Sequence, residues 1–242
     1  MRFIVDSRSM KRSSRSLYQL ATRYYNGDGV RKNWRRAFLL TKQAAEQGYR
    51  VAMDALGSCY LYGIGTKRSP RIAVVWYRRG AENGNLDAQY NLAACYAGGS
   101  GVRRNYKTAV ELVREPAKRK MPEALDMLGY FYRYGLGLKK NRRMGFRLQL
   151  QSAKGSVAGA QFSVGYCHSK GEGTTANAKK AFYWYLRAAK QGQSGAQHNV
   201  GYYYERGRGV KQNLSKAIKW YGAAARQGDK EAKAALKRLQ QH

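Results

Sequence analysis

Apolar residues recur along this chain at helical spacing, and glycines interrupt them at regular points. In one clear stretch, Ala196, Val200 and Tyr204 lie four residues apart, which places them on one face of an amphipathic helix. A Gly-x-Gly turn at Gly207 follows, and glycine supplies the positive φ that a helix C-cap and a tight turn need. A second apolar stripe begins after Asn213, a residue type favoured at helix N-caps. The pattern predicts two antiparallel helices joined by a short loop.

The Gly-x-Gly turn recurs at a constant interval of 36 residues, with its first glycines at Gly27, Gly63, Gly99, Gly135, Gly171 and Gly207. Such an interval is typical of solenoids, in which each unit buries its apolar face against its neighbours. We therefore predict an all-α fold of six helix pairs (helix A, then helix B) near residues 16–48, 52–84, 88–120, 124–155, 160–192 and 196–228, with a C-terminal capping helix at about 229–240. We expect residues 1–15 to form a basic, disordered arm and residues 16–242 to form one domain.

Two repeats depart from the shared pattern. One position of helix B holds alanine in five repeats and Gly145 in the fourth, and glycine inside a helix costs about 1 kcal/mol relative to alanine. We expect a weak point there. The third repeat has Pro116 where an alanine is expected and Lys120 where a glycine is expected. Since proline lacks the N–H group that a helix uses, Pro116 is predicted to shorten or kink its helix.

The repeated residues resemble those of a known family. The order Gly-x-Gly-Val, a polar cap, Lys-Ala, Trp-Tyr, Ala-Ala and a closing glycine is similar to the Sel-one-like repeat (SLR) family, a branch of the tetratricopeptide-like α-solenoids. The resemblance covers about residues 16–240 and is most specific in 171–192 and 207–228. It implies a right-handed superhelix whose A helices line a concave face and which binds other proteins. It does not imply catalysis.

The charge of the chain is strongly unbalanced. Forty-six lysines and arginines face fourteen aspartates and glutamates, for a formal net charge of +32, while 43% of the residues are hydrophobic and suffice for a core. Repulsion of this size opposes compaction, which favours a polyanionic partner. A host whose proteins are all basic is the alternative, and a single sequence leaves it open.

The cysteines and the apolar runs bear on location. Cys59, Cys95 and Cys167 share one repeat position, so stacked repeats place them about 10 Å apart, beyond the roughly 7 Å that a disulfide tolerates between Cα atoms. We expect free thiols in a reducing compartment. No apolar run approaches the roughly 20 residues of a membrane span, and Phe3-Ile4-Val5 is too short for a secretory signal. These features predict a cytoplasmic protein without a membrane span.

Basic residues surround the predicted N-caps of the B helices, which are Asn33, Ser69, Asn105, Asn141, Asn177 and Asn213. The similar family usually has aspartate there; asparagine and serine cap about as well, so six negative charges are absent without harm to the fold. Thirteen flanking residues form what we call the basic edge: Arg31, Lys32, Arg35, Arg36, Lys67, Arg68, Arg103, Arg104, Lys139, Lys140, Arg142, Arg143 and Lys211. With the positive ends of the helix dipoles, they predict a site for polyanions. The alternative is a solvated loop edge.

A second set of residues lies on the A helices, on the face opposite their core stripe. We call it the aromatic groove, and its members are Tyr130, Tyr134, Phe162, Tyr166, Lys170, Tyr202 and Arg206. Aromatic rings interleaved with cations stack nucleic-acid bases or anchor a peptide. The alternative is that these tyrosines only pack between repeats.

The sequence shows no catalytic, cofactor-binding or metal-ligating constellation, so we expect no enzyme activity and no cofactor. The Gly-x-Gly turns follow helices and not strands, unlike dinucleotide-binding fingerprints, and Cys167-His168 has no second pair with zinc-like spacing. Two functions remain. The first is a scaffold that binds an acidic protein partner in the aromatic groove. The alternative is a module that binds DNA or RNA along the basic edge. The residues select neither the partner nor the oligomeric state.

Overall fold

The computed structural model describes residues 13–239, and within them the chain is all-α, as predicted. The A helices are α1 Ser14–Asn26, α3 Arg50–Tyr62, α5 Leu86–Gly98, α7 Pro122–Tyr134, α9 Ala158–Lys170 and α11 Ser194–Arg206. The B helices are α2 Trp34–Glu46, α4 Pro70–Glu82, α6 Tyr106–Lys118, α8 Arg142–Lys154, α10 Ala178–Lys190 and α12 Leu214–Arg226, and α13 Lys230–Leu239 follows them. The predicted solenoid of six helix pairs with a C-terminal helix is confirmed.

The helix ends form where the sequence places their signals. Each A helix ends at the first glycine of a Gly-x-Gly turn, with φ between 63° and 92°, a left-handed conformation that suits glycine. Five of the six predicted B-helix caps accept a hydrogen bond through their asparagine side chain, at 2.8 to 3.2 Å. Ser69 makes no such bond, and Pro70 begins α4 instead. The cap prediction is therefore wrong for the Ser69 side chain, because proline fixes the first helical φ by itself.

The first helix begins slightly before the boundary predicted between the N-terminal arm and the repeat domain. Ser13 caps α1, since its Oγ accepts a hydrogen bond from the Ser16 amide at 3.2 Å, so residues 14 and 15 of the predicted arm are helical. Residues 1–12 and 240–242 lie outside the described part of the chain.

The third repeat tolerates its proline. Helix α6 contains Pro116 and has 13 residues, the length of the other A and B helices, so the predicted shortening is wrong. Only two helical residues follow the proline. Lys120 then takes a φ of 61°, the conformation that a glycine supplies at this position in other repeats.

The described residues form two compact units, 13–112 and 113–239, which divide within α6. In the first unit, α1 packs on α2, and α3 packs on both α2 and α4. In the second unit, each helix from α7 to α13 packs on the next one along the chain. The three cysteines are free, which confirms that part of the prediction.

Small residues set how closely paired helices approach. The predicted alanine position is buried throughout, at Ala37, Ala73, Ala109, Ala181 and Ala217. At Gly145, a Cβ atom would lie 2.7 Å from the Gly129 carbonyl oxygen and 2.9 Å from the Arg133 nitrogen. The glycine in the fourth repeat is therefore required by an unusually close approach of α7 and α8.

Candidate functional site

The loops that carry the basic edge stack on the preceding repeat. A Cβ atom at Gly65, in the α3–α4 loop, would lie 2.1 Å from the Trp34 carbonyl oxygen at the start of α2. An added Cβ atom at Gly101 would lie 2.2 Å from the Pro70 carbonyl oxygen. In the second unit, an added Cβ atom at Gly173 would lie 2.2 Å from the Arg142 carbonyl oxygen. In these three turns the second glycine is thus needed for backbone contact as well as for its φ. This contact brings the basic clusters of consecutive repeats together within each unit.

All thirteen residues of the basic edge are exposed. None of them forms an ion pair with another residue of the described chain. Some rest on aromatic rings instead: the Arg36 guanidinium lies 4.6 Å from the Tyr24 ring centroid and the Lys32 ammonium 5.1 Å from that of Trp34. The positive charge of the edge is therefore uncompensated by acidic side chains of these units.

The aromatic groove is exposed in part. Tyr130 and Tyr134 are 46% and 44% exposed, and their ring centroids lie 4.6 Å apart. Tyr202, Lys170 and Arg206 are also exposed. Tyr166 is half-buried. Phe162 packs on the core, with its ring centroid 5.7 Å from that of Tyr185. Its role is therefore packing between repeats, which was the alternative interpretation of the groove residues.

A buried arginine, Arg133, lies between two members of the aromatic groove, Tyr134 and Tyr166, and sequence reasoning missed it. Arg133 is 5% exposed, with its guanidinium 4.7 Å from the Tyr134 ring centroid and 5.0 Å from that of Tyr166. Its Nε lies 3.4 Å from a carboxylate oxygen of Glu172, and its Nη1 donates to Gln149 Oε1 at 3.3 Å. Because its charge is paired and enclosed, Arg133 orients the two tyrosines and is not itself presented to a ligand.

The sixth repeat holds a buried carboxylate, Glu205, at the position equivalent to Arg133. Glu205 is 5% exposed and accepts hydrogen bonds from Tyr221 Oη at 2.9 Å and from Arg238 Nη2 at 2.8 Å. Burial alone raises its pKa, but these bonds and the Arg238 charge outweigh burial and hold the pKa of Glu205 below its ordinary value. Arg238 thereby fastens α13 to α11.

The first repeat contains a cavity that the sequence reasoning also missed. It has a volume of about 300 Å³ and lies among α1, α2 and α3, with walls that include Tyr18, Thr22, Tyr25, Phe38 and Cys59. Its signal in the sequence is the pair Ala21 and Thr41, where the second, fifth and sixth repeats carry glycine and tyrosine.

Two further features are absent from residues 13–239. No three histidine, cysteine, aspartate or glutamate side chains there form a group suited to a metal ion. None of the helices in that range has the length and apolar content needed to cross a bilayer.

Solved structures similar to this chain share its repeats. A protective antigen of uropathogenic Escherichia coli strains with an SLR fold has 30% sequence identity and a TM-score of 0.75, over 93% of this chain and 48% of its own. A Sel1 repeat protein from Oxalobacter formigenes has 27% identity and a TM-score of 0.83, over 95% of this chain and 66% of its own. The chain thus spans about half of the first relative and about two thirds of the second.

A more distant structure shares the fold alone. An immunity protein of Pseudomonas aeruginosa has 19% identity and a TM-score of 0.57, over 88% of this chain and 81% of its own. A search of curated proteins gave no match.

The Sel1 repeat profile matches six segments that follow the observed helix pairs: residues 14–49, 50–85, 86–115, 122–156, 158–193 and 194–229. Proteins built from this repeat generally act as scaffolds for protein interactions, and the repeat itself is a non-catalytic fold. The chain belongs to the Sel1 repeat family.

Proposed function

We propose that this protein is a non-enzymatic scaffold that binds an acidic protein partner through the aromatic groove of the second unit. The observation that carries the proposal is the exposed pair Tyr130 and Tyr134 in a protein with a net charge of +32, with the Tyr134 ring resting on the buried Arg133. Tyrosines are enriched among the residues that dominate binding energy at interfaces. Positive potential around them speeds association with an acidic surface and selects against basic ones.

A second candidate is the binding of DNA or RNA along the basic edge. It is favoured by thirteen exposed cations that lack acidic partners among the described residues and that flank helix N-termini. Phosphate contacts of this kind give sequence-independent affinity with a dissociation constant of about 10⁻⁴ to 10⁻⁶ M at physiological salt. In either case we expect the cytoplasm as the location, because the three thiols are unpaired.

The two candidates are separated with two fluorescent probes, a polypeptide of alternating glutamate and alanine, which offers no aromatic ring to the cavity of the first unit, and an oligothymidylate. A groove variant carries Tyr130→Ala, Tyr134→Ala and Tyr202→Ala. An edge variant carries Lys139→Glu, Lys140→Glu and Arg143→Glu. A control with the same change of charge carries Lys154→Glu, Lys190→Glu and Arg226→Glu, all exposed at the opposite ends of B helices.

For the scaffold we expect the groove variant to lose affinity for the polypeptide at least tenfold, with the control close to the wild type. For the nucleic-acid module we expect the edge variant to weaken oligothymidylate binding. Each phosphate that the edge variant no longer neutralises should flatten the slope of log K against log salt by about 0.7. The scaffold proposal is overturned if the groove variant binds the polypeptide as tightly as the wild type.

A further inference from the structure

One position of each B helix faces a position of helix A that lies twenty residues earlier. The pairs are Ala21 and Thr41, Gly57 and Tyr77, Ala93 and Val113, Gly129 and Gln149, Gly165 and Tyr185, and Gly201 and Tyr221. Every tyrosine in this series faces a glycine. A Cβ atom at Gly57, Gly165 or Gly201 would lie 2.6 to 2.8 Å from the opposing tyrosine ring. The ring therefore occupies the space that a side chain on helix A would take.

In the second, fifth and sixth repeats this tyrosine fills the space beside the A helix. The fourth repeat fills it with Gln149, which lies 2.6 Å from the Cβ position of Gly129 and accepts a hydrogen bond from the buried Arg133. The first repeat pairs Ala21 with Thr41 and the third pairs Ala93 with Val113, so both lack these groups. In the first repeat Ala21 and Thr41 are buried, and both line the cavity of about 300 Å³. This cavity is therefore lined by the two positions that a glycine and a tyrosine fill in the second, fifth and sixth repeats.

We propose that this cavity receives a tyrosine side chain from a binding partner. Its walls are largely apolar and include Tyr18, Phe38 and Ile64. An apolar cavity of about 150 Å³ in another protein already binds benzene, so a cavity of about 300 Å³ has room for a phenol ring.

The hydroxyl group of an incoming tyrosine also meets polar partners. In the second repeat, the Tyr77 hydroxyl lies 3.0 Å from Ser58 Oγ, one residue after Gly57. In the sixth repeat, the Tyr221 hydroxyl donates to Glu205, four residues after Gly201. The equivalent positions of the first repeat are Thr22 and Tyr25, and both hydroxyl-bearing side chains line the cavity. Tyrosine therefore satisfies the site better than phenylalanine.

The surroundings of the cavity indicate what flanks that tyrosine. Ile64 in the cavity wall is followed closely by Lys67 and Arg68, two exposed residues of the basic edge. Residues 13–112 carry sixteen lysines and arginines against six aspartates and glutamates. The complementary segment has acidic residues beside its tyrosine. This second statement rests on the proposed function, whereas the fit of the ring in the cavity does not.

The first experiment uses p-cresol, the side chain of tyrosine as a free molecule. We expect wild-type protein to bind it at millimolar concentrations and to show slower alkylation of Cys59, which lines the cavity, with Cys95 buried elsewhere as an internal reference. The variant Ala21→Gly with Thr41→Tyr installs the pair that fills the other repeats and should abolish both effects. The converse variant, Gly57→Ala with Tyr77→Thr, should gain a second p-cresol site. Equal binding of p-cresol by the wild type and the filled variant, or no binding by the wild type, overturns the proposal.

The second experiment compares the peptides acetyl-Glu-Glu-Tyr-Glu-Glu-amide and acetyl-Glu-Glu-Ala-Glu-Glu-amide. Burying an aromatic side chain corresponds to a gain of roughly tenfold to a hundredfold in affinity. We expect the wild type to prefer the tyrosine peptide by about tenfold or more, and the filled variant to bind both peptides alike. If the wild type binds both alike, the cavity does not read tyrosine although the acidic-partner proposal stands. If neither peptide binds, the acidic-partner proposal fails and p-cresol alone decides on the cavity.

Discussion

The contact between Gly57 and the Tyr77 ring gives a quantitative prediction. A methyl group at Gly57 would lie 2.6 Å from two ring carbons, whereas carbon atoms in favourable contact are about 3.5 to 4.0 Å apart. Tyr77 is 1% exposed and is held by its hydrogen bond with Ser58, so the ring has little freedom to move away. Overpacking of this kind costs about 1–3 kcal/mol, and the better helix propensity of alanine offsets about 1 kcal/mol of that. Because the ring cannot move away, the cost should lie in the upper part of that range, about 2–3 kcal/mol, so we expect Gly57→Ala to lower the free energy of unfolding by roughly 1–2 kcal/mol.

Gly98→Ala is the matched control. Gly98 is also a helical glycine, but a Cβ atom there would meet nothing within 4 Å, so the same substitution should raise the free energy of unfolding by up to about 1 kcal/mol. In a Tyr77→Val background, which reproduces the Ala93 and Val113 pair of the third repeat, Gly57→Ala should become neutral or stabilising. Urea titrations followed by circular dichroism measure the wild type and these four variants. The packing argument is refuted if Gly57→Ala is as stable as the wild type, or if both alanine substitutions destabilise equally.

The remaining predictions concern caps, pH and thiols. Asn213→Ala should cost about 1 kcal/mol because it removes a cap hydrogen bond, while Ser69→Ala should leave thermal unfolding almost unchanged because Ser69 makes none. The lowered pKa of Glu205 stabilises the fold above the ordinary glutamate pKa of about 4.3, and this contribution disappears as pH falls through the folded value. Glu205→Gln should therefore lower Tm at neutral pH, and this effect should shrink as the pH falls below the ordinary glutamate pKa. Burial raises the pKa of all three cysteine thiols to about 11, so iodoacetamide at neutral pH should label them slowly until the protein unfolds, and then completely without reductant.

Much of the fold was predictable because its signals are local. A glycine that ends a helix and an asparagine that caps one act through hydrogen bonds to backbone groups only a few residues away. The five asparagine caps were therefore predicted correctly, as were the glycine turns. The shortening predicted for Pro116 was wrong because that effect depends on how much helix follows the proline, and only two helical residues do.

The candidate site was less predictable. The exposure of the basic edge follows from its position beside loops, but Phe162 and Tyr166 were assigned to an exposed groove that only part of the set forms. Arg133 escaped notice because an arginine on a helix is ordinarily exposed. Its burial depends on Tyr166 and Glu172, which lie one repeat further along the chain.

The sequence by itself determined the number of repeats, the helix ends and the sign of the charge, because a 36-residue period and the local capping residues specify them without reference to distant contacts. Only the tertiary structure decided which side chain fills the space between the paired helices. The residues at positions 21 and 41 are both small. Their identity alone does not tell whether the side chain of another residue fills the space beside them. The packing of α1, α2 and α3 leaves it open as a cavity, since side-chain volumes are matched across helices and not along the chain.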